Sequence, residues 1–167
     1  MNIAVLERCL DRDPGYDRLP DGAMASAVMV LLQYRDCEWH FILIVRAANL
    51  SLHAGETAFA GGRRDPGDRT AVDTALREVN EEIGVPAAAV RICGVLPFVM
   101  TLDSGFAIVP VVAVLNEDFR EFRPDPREVD DILAVPVSLF SRRAQSLGPE
   151  QYFMKGHRFR DRTIWGA

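Results

Sequence analysis

The amino-acid sequence predicts an α/β or α+β fold in which a mixed sheet packs against one strong helix and several weaker ones. Two observations point to this fold. Apolar residues recur with helical spacing between positions 70 and 83, and several other apolar runs have the length and composition of strands. The chain has 167 residues, of which 49% are hydrophobic and 26% charged. This composition suits a single domain with a real core, and it excludes disorder as the main state.

The clearest predicted element is a helix over residues 70–82. Thr70 and Asp73 have the spacing of a capping box, with Asp68 as a competing N-cap. Gly84 stands where a left-handed C-cap belongs, and Pro86 prevents continuation of the helix. The apolar stripe on this helix consists of Val72, Ala75, Leu76, Val79 and Ile83.

Strands are predicted on both sides of this helix, over residues 24–32, 39–45, 58–59, 90–99, 106–115 and 128–135. Residues 61–68 are predicted to form a glycine-rich loop, residues 137–144 a short helix, and residues 157–159 and 163–165 a terminal strand or hairpin. We interpret residues 1–22 as an N-terminal helix and loop segment and residues 23–167 as the functional domain.

The charge distribution argues against a general nucleic-acid-binding protein. The net charge is −5, and a phosphate backbone requires a basic face. Residues 141–167 carry six basic side chains and two acidic ones, so this tail is positive and the rest of the chain strongly acidic. An acidic body is suited to binding a metal ion and a basic tail to binding phosphate. A basic tail that is solvated and binds nothing is an equal alternative.

The cysteines and the apolar runs indicate a cytoplasmic chain. Cys9, Cys37 and Cys93 are far apart and form no C-x-x-C pair, so we expect reduced thiols and neither a zinc nor a redox site. The N-terminus has no signal-peptide pattern. The longest apolar stretch, residues 23–32, is too short to span a membrane, which requires about 20 residues.

Three carboxylates near the end of the predicted helix are the strongest sign of chemistry. Glu78, Glu81 and Glu82 lie on adjoining parts of one helix surface, with Glu82 nearest the apolar stripe and therefore the least exposed. Acids at a helix C-terminus oppose its dipole, and like charges four residues apart repel. A hard divalent cation reverses both effects. The alternative is a solvated acidic helix end paired with Arg77.

Residues 62–85 resemble the Nudix box, the signature of the Nudix hydrolases. The second half of the box, R-E-U-x-E-E-x-G-U with U aliphatic, is matched at every fixed position from Arg77 to Val85. The first half departs from the general pattern. Asp68 stands where Glu is usual, and the gap from Asp68 to Arg77 is one residue longer. These departures resemble the coenzyme A pyrophosphatase branch, whose G-G-x-x-D-x-x-D and T-A-L-R-E segments are matched by residues 61–68 and 74–78.

The resemblance to this branch continues outside the box. Upstream, residues 43–47 resemble its L-L-T-x-R-S segment, and residues 53–62 resemble its H-x-G-x3-F-P-G-G segment, with Ala60 at the usual proline. Ser51 stands where a second basic residue is usual, which leaves another substrate open. Downstream, residues 105–111, 128–129 and 164–166 are similar to the branch. The chain stops where members of the branch usually continue into a final helix, so the end is either natural or a truncation.

The resemblance implies an α/β/α sandwich that cleaves a diphosphate with the help of Mg²⁺ or Mn²⁺. Glu78 and Glu82 are implied as the main metal ligands, Glu81 as a third ligand or a water-orienting group, and the Gly61 carbonyl as a further ligand. Arg77 is expected to pair with Asp68, with a direct clamp on substrate phosphate as the alternative. The resemblance implies a catalytic base that is either Glu128, outside the box, or Glu81, within it, and a solvated loop acid is the alternative for Glu128.

The substrate side is also implied by the resemblance. The implied substrate-binding residues are Arg46, Gly55, Gly62 and Arg64. For Arg46, a surface position on a strand without a role in binding is a nearly equal alternative, and for Arg64 the alternative is a solvated loop arginine. We interpret Phe98, Phe106 and Trp165 as core residues and not as a platform for a nucleobase.

The leading functional hypothesis is hydrolysis of coenzyme A or acyl-CoA to 3′,5′-ADP and (acyl-)4′-phosphopantetheine. The alternatives are another nucleoside diphosphate derivative, such as ADP-ribose, NADH or a dinucleoside polyphosphate, and a non-catalytic nucleotide-binding domain. The complete acidic motif argues against the latter. We expect no nucleic acid or membrane partner, and a homodimer is compatible with the sequence.

Overall fold

The computed structural model describes residues 2–12, 16–101, 105–141, 145–146 and 155–165. Its α-helices are α1 (Ile3–Cys9) and α2 (Ala71–Ile83), and its 3-10 helices are Tyr16–Arg18, Ala87–Ala89 and Val137–Ser141. Its strands are β1 (Met24–Arg35), β2 (Glu38–Arg46), β3 (Thr57–Ala58), β4 (Gly61–Arg63), β5 (Val90–Val95), β6 (Val99–Met100), β7 (Phe106–Leu115), β8 (Val129–Pro136), β9 (Gln145–Ser146), β10 (Lys155–Phe159) and β11 (Arg162–Trp165).

Strands β1 to β8 form one mixed sheet in the part of the chain that the structure describes. Its main path runs β3-β2-β1-β7-β5, with β4 beside β1, β6 beside β7 and β8 beside β2. Strands β1 and β7 pair in parallel, from Met24 opposite Phe106 to Leu32 opposite Val114, and the other pairs are antiparallel. The predicted mixed sheet is therefore confirmed. A smaller antiparallel sheet follows in the order β11-β10-β9.

Helix α2 covers one face of the main sheet. Its fully buried Ala75, Val79 and Ile83 pack against apolar residues of the central strands, including Met29 and Val111. Residues 75, 79 and 83 are four apart, so one stripe of the helix faces the sheet, as the sequence pattern predicts. This packing holds the acidic end of α2 next to strand β4.

Shorter elements cover the opposite face of the sheet. Leu10 and the apolar side of α1 pack near Leu32 and Val112. Ile164 of β11 packs with the core residues Leu43 and Leu133, close to the 3-10 helix Val137–Ser141. The predicted terminal hairpin is confirmed by the pairing of β10 with β11. The proposed boundary between residues 22 and 23 stays a prediction.

Several predicted extents change in the structure. Residues 61–63 of the predicted glycine-rich loop form strand β4, because their backbone pairs with residues 26–28 of β1. The predicted strand over residues 90–99 breaks after Val95 and resumes as β6. Instead of the predicted helix 137–144 there is a 3-10 helix that ends at Ser141, and residues 142–144 lie outside the described residues. Residue 166 of the terminal motif is also outside them.

The core assignment was wrong for two aromatic residues. Phe98 is 38% exposed and Trp165 is 37% exposed, whereas Phe106 is half-buried. Phe98 lies in the break between β5 and β6, and Trp165 ends the described part of β11. Both residues therefore lie at or beside the ends of strands.

The cysteines form no disulfide in the described residues, and the described helices are short. Cys9 and Cys37 are exposed and Cys93 is buried, and all three are free thiols. No helix in the described ranges has the length and apolar character needed to cross a bilayer.

Candidate active site

Helix α2 begins and ends as its sequence predicts. The Thr70 hydroxyl accepts from the amide of Asp73 at 3.2 Å, and the Asp73 carboxylate accepts from the amide of Thr70 at 2.9 Å. This reciprocal capping box satisfies two amides that a helix start leaves unpaired. Gly84 adopts φ +69° at the C-cap, where its amide donates to the carbonyl of Asn80. The ends of the acidic helix are therefore set by local hydrogen bonds.

Glu82 is the deepest of the three carboxylates. It is 3% exposed, and its Oε2 accepts a hydrogen bond from the amide of Gly61 at 2.9 Å. Burial raises the pKa of Glu82 to about 8, and the nearby charges of Glu78 and Glu128 act in the same direction. In the absence of a cation, this position therefore favours the neutral acid.

Glu78 is held close to the glycine pair of strand β4. A Cβ at Gly62 would stand 2.3 Å from Glu78 Oε1, so a larger residue at position 62 would displace this carboxylate from its present place. Burial raises the pKa of Glu78 above its ordinary value, although Arg77 lowers it. Glu78 is thus half-buried beside Gly62, whereas Glu81 is exposed.

Arg77 donates hydrogen bonds to three carboxylates and one main-chain carbonyl of the site. Its Nη1 donates to Glu78 and to Glu81, each at 2.9 Å, and its Nη2 donates to Asp68 at 3.0 Å and to the carbonyl of Arg63 at 2.8 Å. The hydrogen bond with Asp68 is the largest cause that raises the pKa of Arg77, so the guanidinium stays charged. The predicted pair of Arg77 and Asp68 is present, and Arg77 also bridges two of the acids.

Asp68 is a buried carboxylate that joins the loop before α2 to the helix. Its Oδ2 accepts from the hydroxyl of Thr74 and from the amide of Asp65, both at 2.9 Å. Burial raises the pKa of Asp68, but the hydrogen bonds from Arg77, Asp65 and Thr74 outweigh burial and hold it below its ordinary value. Asp68 does not cap the helix, because Thr70 does so.

Thr74 receives a hydrogen bond from a residue outside the predicted domain. The hydroxyl of Tyr16 donates to Thr74 Oγ1 at 2.7 Å. Burial raises the pKa of Tyr16 above its ordinary value, so its hydroxyl is a donor at neutral pH. Sequence reasoning missed Tyr16, because it lies 58 residues from Thr74 and no motif includes it.

Arg46 and Glu128 lie on the sheet side of the carboxylates. The amide of Ala47 donates to the carbonyl of Glu128 at 2.9 Å, and this pair sits beside the register shift between β2 and β8 at Arg46. The Arg46 charge lowers the pKa of Glu82, and the Glu128 charge raises it. Arg46 Nε is buried and has no hydrogen-bond acceptor among the described residues. The structure therefore brings both residues into the electrostatic neighbourhood of Glu82.

Arg64 and Gly55 are positioned differently from the acids. Arg64 Nε donates to the carbonyl of Asp68 at 2.9 Å, and its guanidinium lies 5.0 Å from the ring centre of Tyr16. Gly55 turns the loop after β2 with φ +73°, and its amide donates to the carbonyl of Arg46. Arg64 therefore stabilises the loop before α2, and Gly55 shapes the turn beside Arg46.

The loop between β7 and β8 closes the C-terminal end of α2. The amides of Arg123 and Asp125 donate to the carbonyls of Ile83 and Glu82, both at 2.9 Å. These bonds satisfy carbonyls that a helix end leaves unpaired. Glu128 follows directly in the same loop. The position of this loop therefore sets the position of Glu128 relative to Glu82.

Gln33 of β1 anchors the start of this loop. Its side chain is fully buried, and its Nε2 donates to the carbonyls of Asn116 at 3.0 Å, Glu117 at 3.4 Å and Phe119 at 2.9 Å. Sequence reasoning missed Gln33 as well, because a lone glutamine within an apolar strand carries no recognisable signal.

The donor set fits a hard divalent cation, although the carboxylates do not converge. Glu78, Glu81 and Glu82 supply oxygen ligands only. Neighbouring carboxylates raise the pKa of both Glu78 and Glu82, which marks a negative potential that a cation relieves. No three acidic, histidine or cysteine side chains are grouped as a ready metal site in the regions that the structure covers. Arg77 donates to one oxygen of Glu78 and to one oxygen of Glu81.

Comparison with known proteins identifies the family. The model of the NUDIX domain matches residues 24–153, which include every implied site residue. The chain therefore belongs to the Nudix family.

Curated relatives agree with this assignment. The chain is 42% identical over 98 residues to a protein described as the uncharacterized Nudix hydrolase NudL of Pectobacterium atrosepticum, an alignment that covers 58% of this chain and 49% of that protein. It is 33% identical over 126 residues to Nudix hydrolase 3 of Caenorhabditis elegans, which covers 74% of this chain and 52% of that protein. The chain thus spans about half the length of the curated relatives that it matches.

Solved structures share the fold at low identity. An Ap4A hydrolase from C. elegans in a binary complex superimposes with a TM-score of 0.57 at 18% identity, covering 69% of this chain and 81% of that one. The NUDIX domain of Shewanella oneidensis NrtR, complexed with ADP ribose, superimposes with a TM-score of 0.54 at 18% identity, covering 83% and 85%. At these identities the likeness shows the fold alone.

Proposed function

We propose that this protein is a metal-dependent pyrophosphatase that hydrolyses coenzyme A or acyl-CoA to 3′,5′-ADP and (acyl-)4′-phosphopantetheine. One observation carries the proposal: the buried Glu82 and the half-buried Glu78 lie against the glycine pair of β4, where burial raises the pKa of both and the charge of Glu128 acts in the same direction. Such a cluster is costly without a cation, and a cation is what diphosphate cleavage needs. The motifs of residues 43–47 and 53–62 support coenzyme A as the substrate.

In this proposal, Glu78, Glu82, Glu81 and the Gly61 carbonyl hold Mg²⁺ or Mn²⁺. When bound, the cation supplies charge neutralisation at the phosphate oxygens and lowers the pKa of the attacking water. The bond of Arg77 to Asp68 would keep the loop before α2 against the helix. The family resemblance and the free, buried Nε of Arg46 support this residue as a donor to a substrate phosphate.

Glu128 is our proposed general base, because it is exposed and its charge acts on both Glu78 and Glu82. It would take the proton from the water that attacks phosphorus. Glu81 is the alternative base, although Arg77 holds its carboxylate in this structure. Gly55, Gly62 and Arg64 shape the substrate side of the site in this proposal.

A second candidate substrate is another nucleoside diphosphate derivative, such as ADP-ribose or a dinucleoside polyphosphate. Ser51 favours it, because the coenzyme A branch usually carries a cation at this position. The chemistry and the metal site are the same in both cases, and only the contacts beyond the diphosphate differ.

A product assay separates these candidates. The protein is incubated with coenzyme A, ADP-ribose, NADH and a diadenosine polyphosphate, each with Mg²⁺, Mn²⁺ or EDTA, beside the Glu82→Gln variant. Metal-dependent formation of 3′,5′-ADP from coenzyme A supports the proposal. Cleavage of another substrate with coenzyme A intact would reject coenzyme A but keep the reaction. No turnover of any substrate would contradict the enzymatic function.

A further inference from the structure

A chain of side-chain hydrogen bonds begins at Tyr16, outside the stretch that matches the NUDIX domain. Tyr16 OH donates to Thr74 Oγ1 at 2.7 Å, and Thr74 Oγ1 donates to Asp68 Oδ2 at 2.9 Å. Thr74 is fully buried, and Asp68 is 6% exposed. A hydroxyl has one proton, so acceptance from Tyr16 leaves the Thr74 proton for Asp68.

Arg77 extends this chain to the acidic motif. Asp68 Oδ2 accepts from Arg77 Nη2 at 3.0 Å, and Arg77 Nη1 donates to Glu78 and Glu81, each at 2.9 Å. Arg77 is therefore shared between Asp68 on one side and the two acids on the other. Any change in the placement of Asp68 therefore alters how Arg77 is shared with the acids.

The Tyr16 ring is also held by the loop before α2. The guanidinium of Arg64 lies 5.0 Å from the ring centre, and Arg64 Nε donates to the carbonyl of Asp68 at 2.9 Å. Tyr16 thus contacts Thr74, which donates to the Asp68 carboxylate, and Arg64, which donates to the Asp68 main-chain carbonyl. Two independent contacts place its hydroxyl at Thr74.

We propose that Tyr16 is a positioning residue of the Nudix box: by donating to Thr74, it orients the Thr74 hydroxyl toward Asp68 and thereby holds Asp68 in the placement at which it shares Arg77 with Glu78 and Glu81. Without the Tyr16 hydroxyl, the Thr74 proton is free to turn to a carbonyl of the preceding helical turn, as threonines in helices do. This inference rests on the proposed function, because its consequence for turnover requires that Glu78 and Glu81 serve the reaction.

The kinetic test compares Tyr16→Phe with Tyr34→Phe, a matched control on the partly exposed ring of strand β1. We expect Tyr16→Phe to lower kcat about three- to tenfold and to leave KM within about twofold, since residues that support ligand-holding groups act on the reaction through them. Thr74→Val should lower kcat similarly, Thr74→Ser should restore it, and the double variant Tyr16→Phe/Thr74→Val should be no slower than Thr74→Val alone. An unchanged kcat in Tyr16→Phe, or additive losses in the double variant, would overturn the proposal.

An unfolding experiment tests the same chain without turnover. In metal-free protein, Tyr16→Phe should lower the urea midpoint in the wild-type background and by clearly less in an Asp68→Asn background, because the two residues act through Thr74. Equal shifts in both backgrounds would overturn the inference. If the wild-type protein cleaves none of the four substrates, the proposed function is refuted. The difference between the two urea midpoint shifts then tests the positioning role of Tyr16 independently of turnover.

Discussion

The amide of Gly61 donates to Oε2 of Glu82 at 2.9 Å, and this bond joins the deepest carboxylate of α2 to strand β4. The bond directs Glu82 toward the glycine pair and away from solvent. It also offsets part of the cost of burying the carboxylate, although the pKa of Glu82 still rises to about 8. The ionised form of Glu82, a central residue of the site, is therefore disfavoured in the metal-free protein.

Replacing Glu82 with glutamine should abolish turnover while stabilising the metal-free protein. The amide oxygen of the variant still accepts from Gly61, but it supplies no charge to a cation. We expect a loss of turnover on the order of 10²-fold or more. The product assay with Mg²⁺ measures it, and Glu121→Gln, which changes a highly exposed acid, is the control.

The same variant yields a pH dependence of stability. The pKa of Glu82 is raised in the fold, so the stability that its neutral form supports is complete below the unfolded value of about 4.3 and is lost as the pH rises through about 8. The Tm of Glu82→Gln should therefore exceed that of wild type by a margin that grows from pH 5 to pH 8 in EDTA. A margin that is independent of pH would contradict the buried, protonated state of Glu82.

Replacing Gly62 with alanine should disable the site without unfolding the protein. The new Cβ would meet Glu78 Oε1 at 2.3 Å, so the carboxylate has to move by about an ångström, and misplacement of this size costs up to about 10²-fold in rate. Steady-state kinetics with a Mg²⁺ titration measure the loss. Gly67→Ala is the matched control, since a Cβ there meets nothing within 4 Å. Equal activity of the two variants would argue against Glu78 as a metal ligand.

Replacing Asp68 with asparagine should reveal the acid sensitivity of the loop before α2. The pKa of Asp68 is lowered in the fold by Arg77, Asp65 and Thr74, which outweigh its burial. Its contribution to stability is present above the unfolded value of about 3.9 and is lost as the pH falls through the lower folded value. The Tm of the variant should therefore lie below that of wild type at pH 7, and the two should approach each other below about pH 3.9. Asp36→Asn, at an exposed turn, should show neither effect.

Replacing Gln33 with leucine should loosen the loop between β7 and β8. The carbonyls of Asn116 and Phe119 would lose their buried donor, and we expect a loss of about 1–3 kcal/mol in the free energy of unfolding, measured with urea. Gln33→Glu keeps the shape but turns an acceptor toward these carbonyls, so it should cost more than leucine does. The opposite order would show that shape, and not donation, is what Gln33 supplies.

Local signals predicted the helix and its ends. The capping box at Thr70, the left-handed Gly84 and the burial of Glu82 all depend on residues within one or two helical turns, and each is present in the structure. The pairing of Arg77 with Asp68 was also predicted, because the box motif includes both residues.

Contacts between distant parts of the chain could not be predicted. Tyr16 reaches Thr74, and Gln33 reaches the loop at Asn116, across separations of 58 and 83 residues that leave no periodic or motif signal. The exposure of Phe98 was missed for a related reason: whether an apolar residue at a strand end is covered depends on which other segment packs there. The hold of Arg77 on Glu78 and Glu81 likewise depends on the rotamers of three side chains, which spacing alone does not determine.

The parallel pairing of β1 with β7 has a consequence for how this protein folds during its synthesis. The Ser26 hydroxyl donates to the carbonyl of Ala107, 81 residues further along the chain, so the centre of the sheet joins segments that are synthesised far apart. A nascent chain that has emerged only as far as the acidic helix includes β2 and β4 but not β7, so the edge of β1 that pairs with β7 is uncovered. Pairings of such long range fold slowly, because the intervening chain has to be ordered first. We expect the emerging chain to depend on protection from aggregation until β7 has left the ribosome.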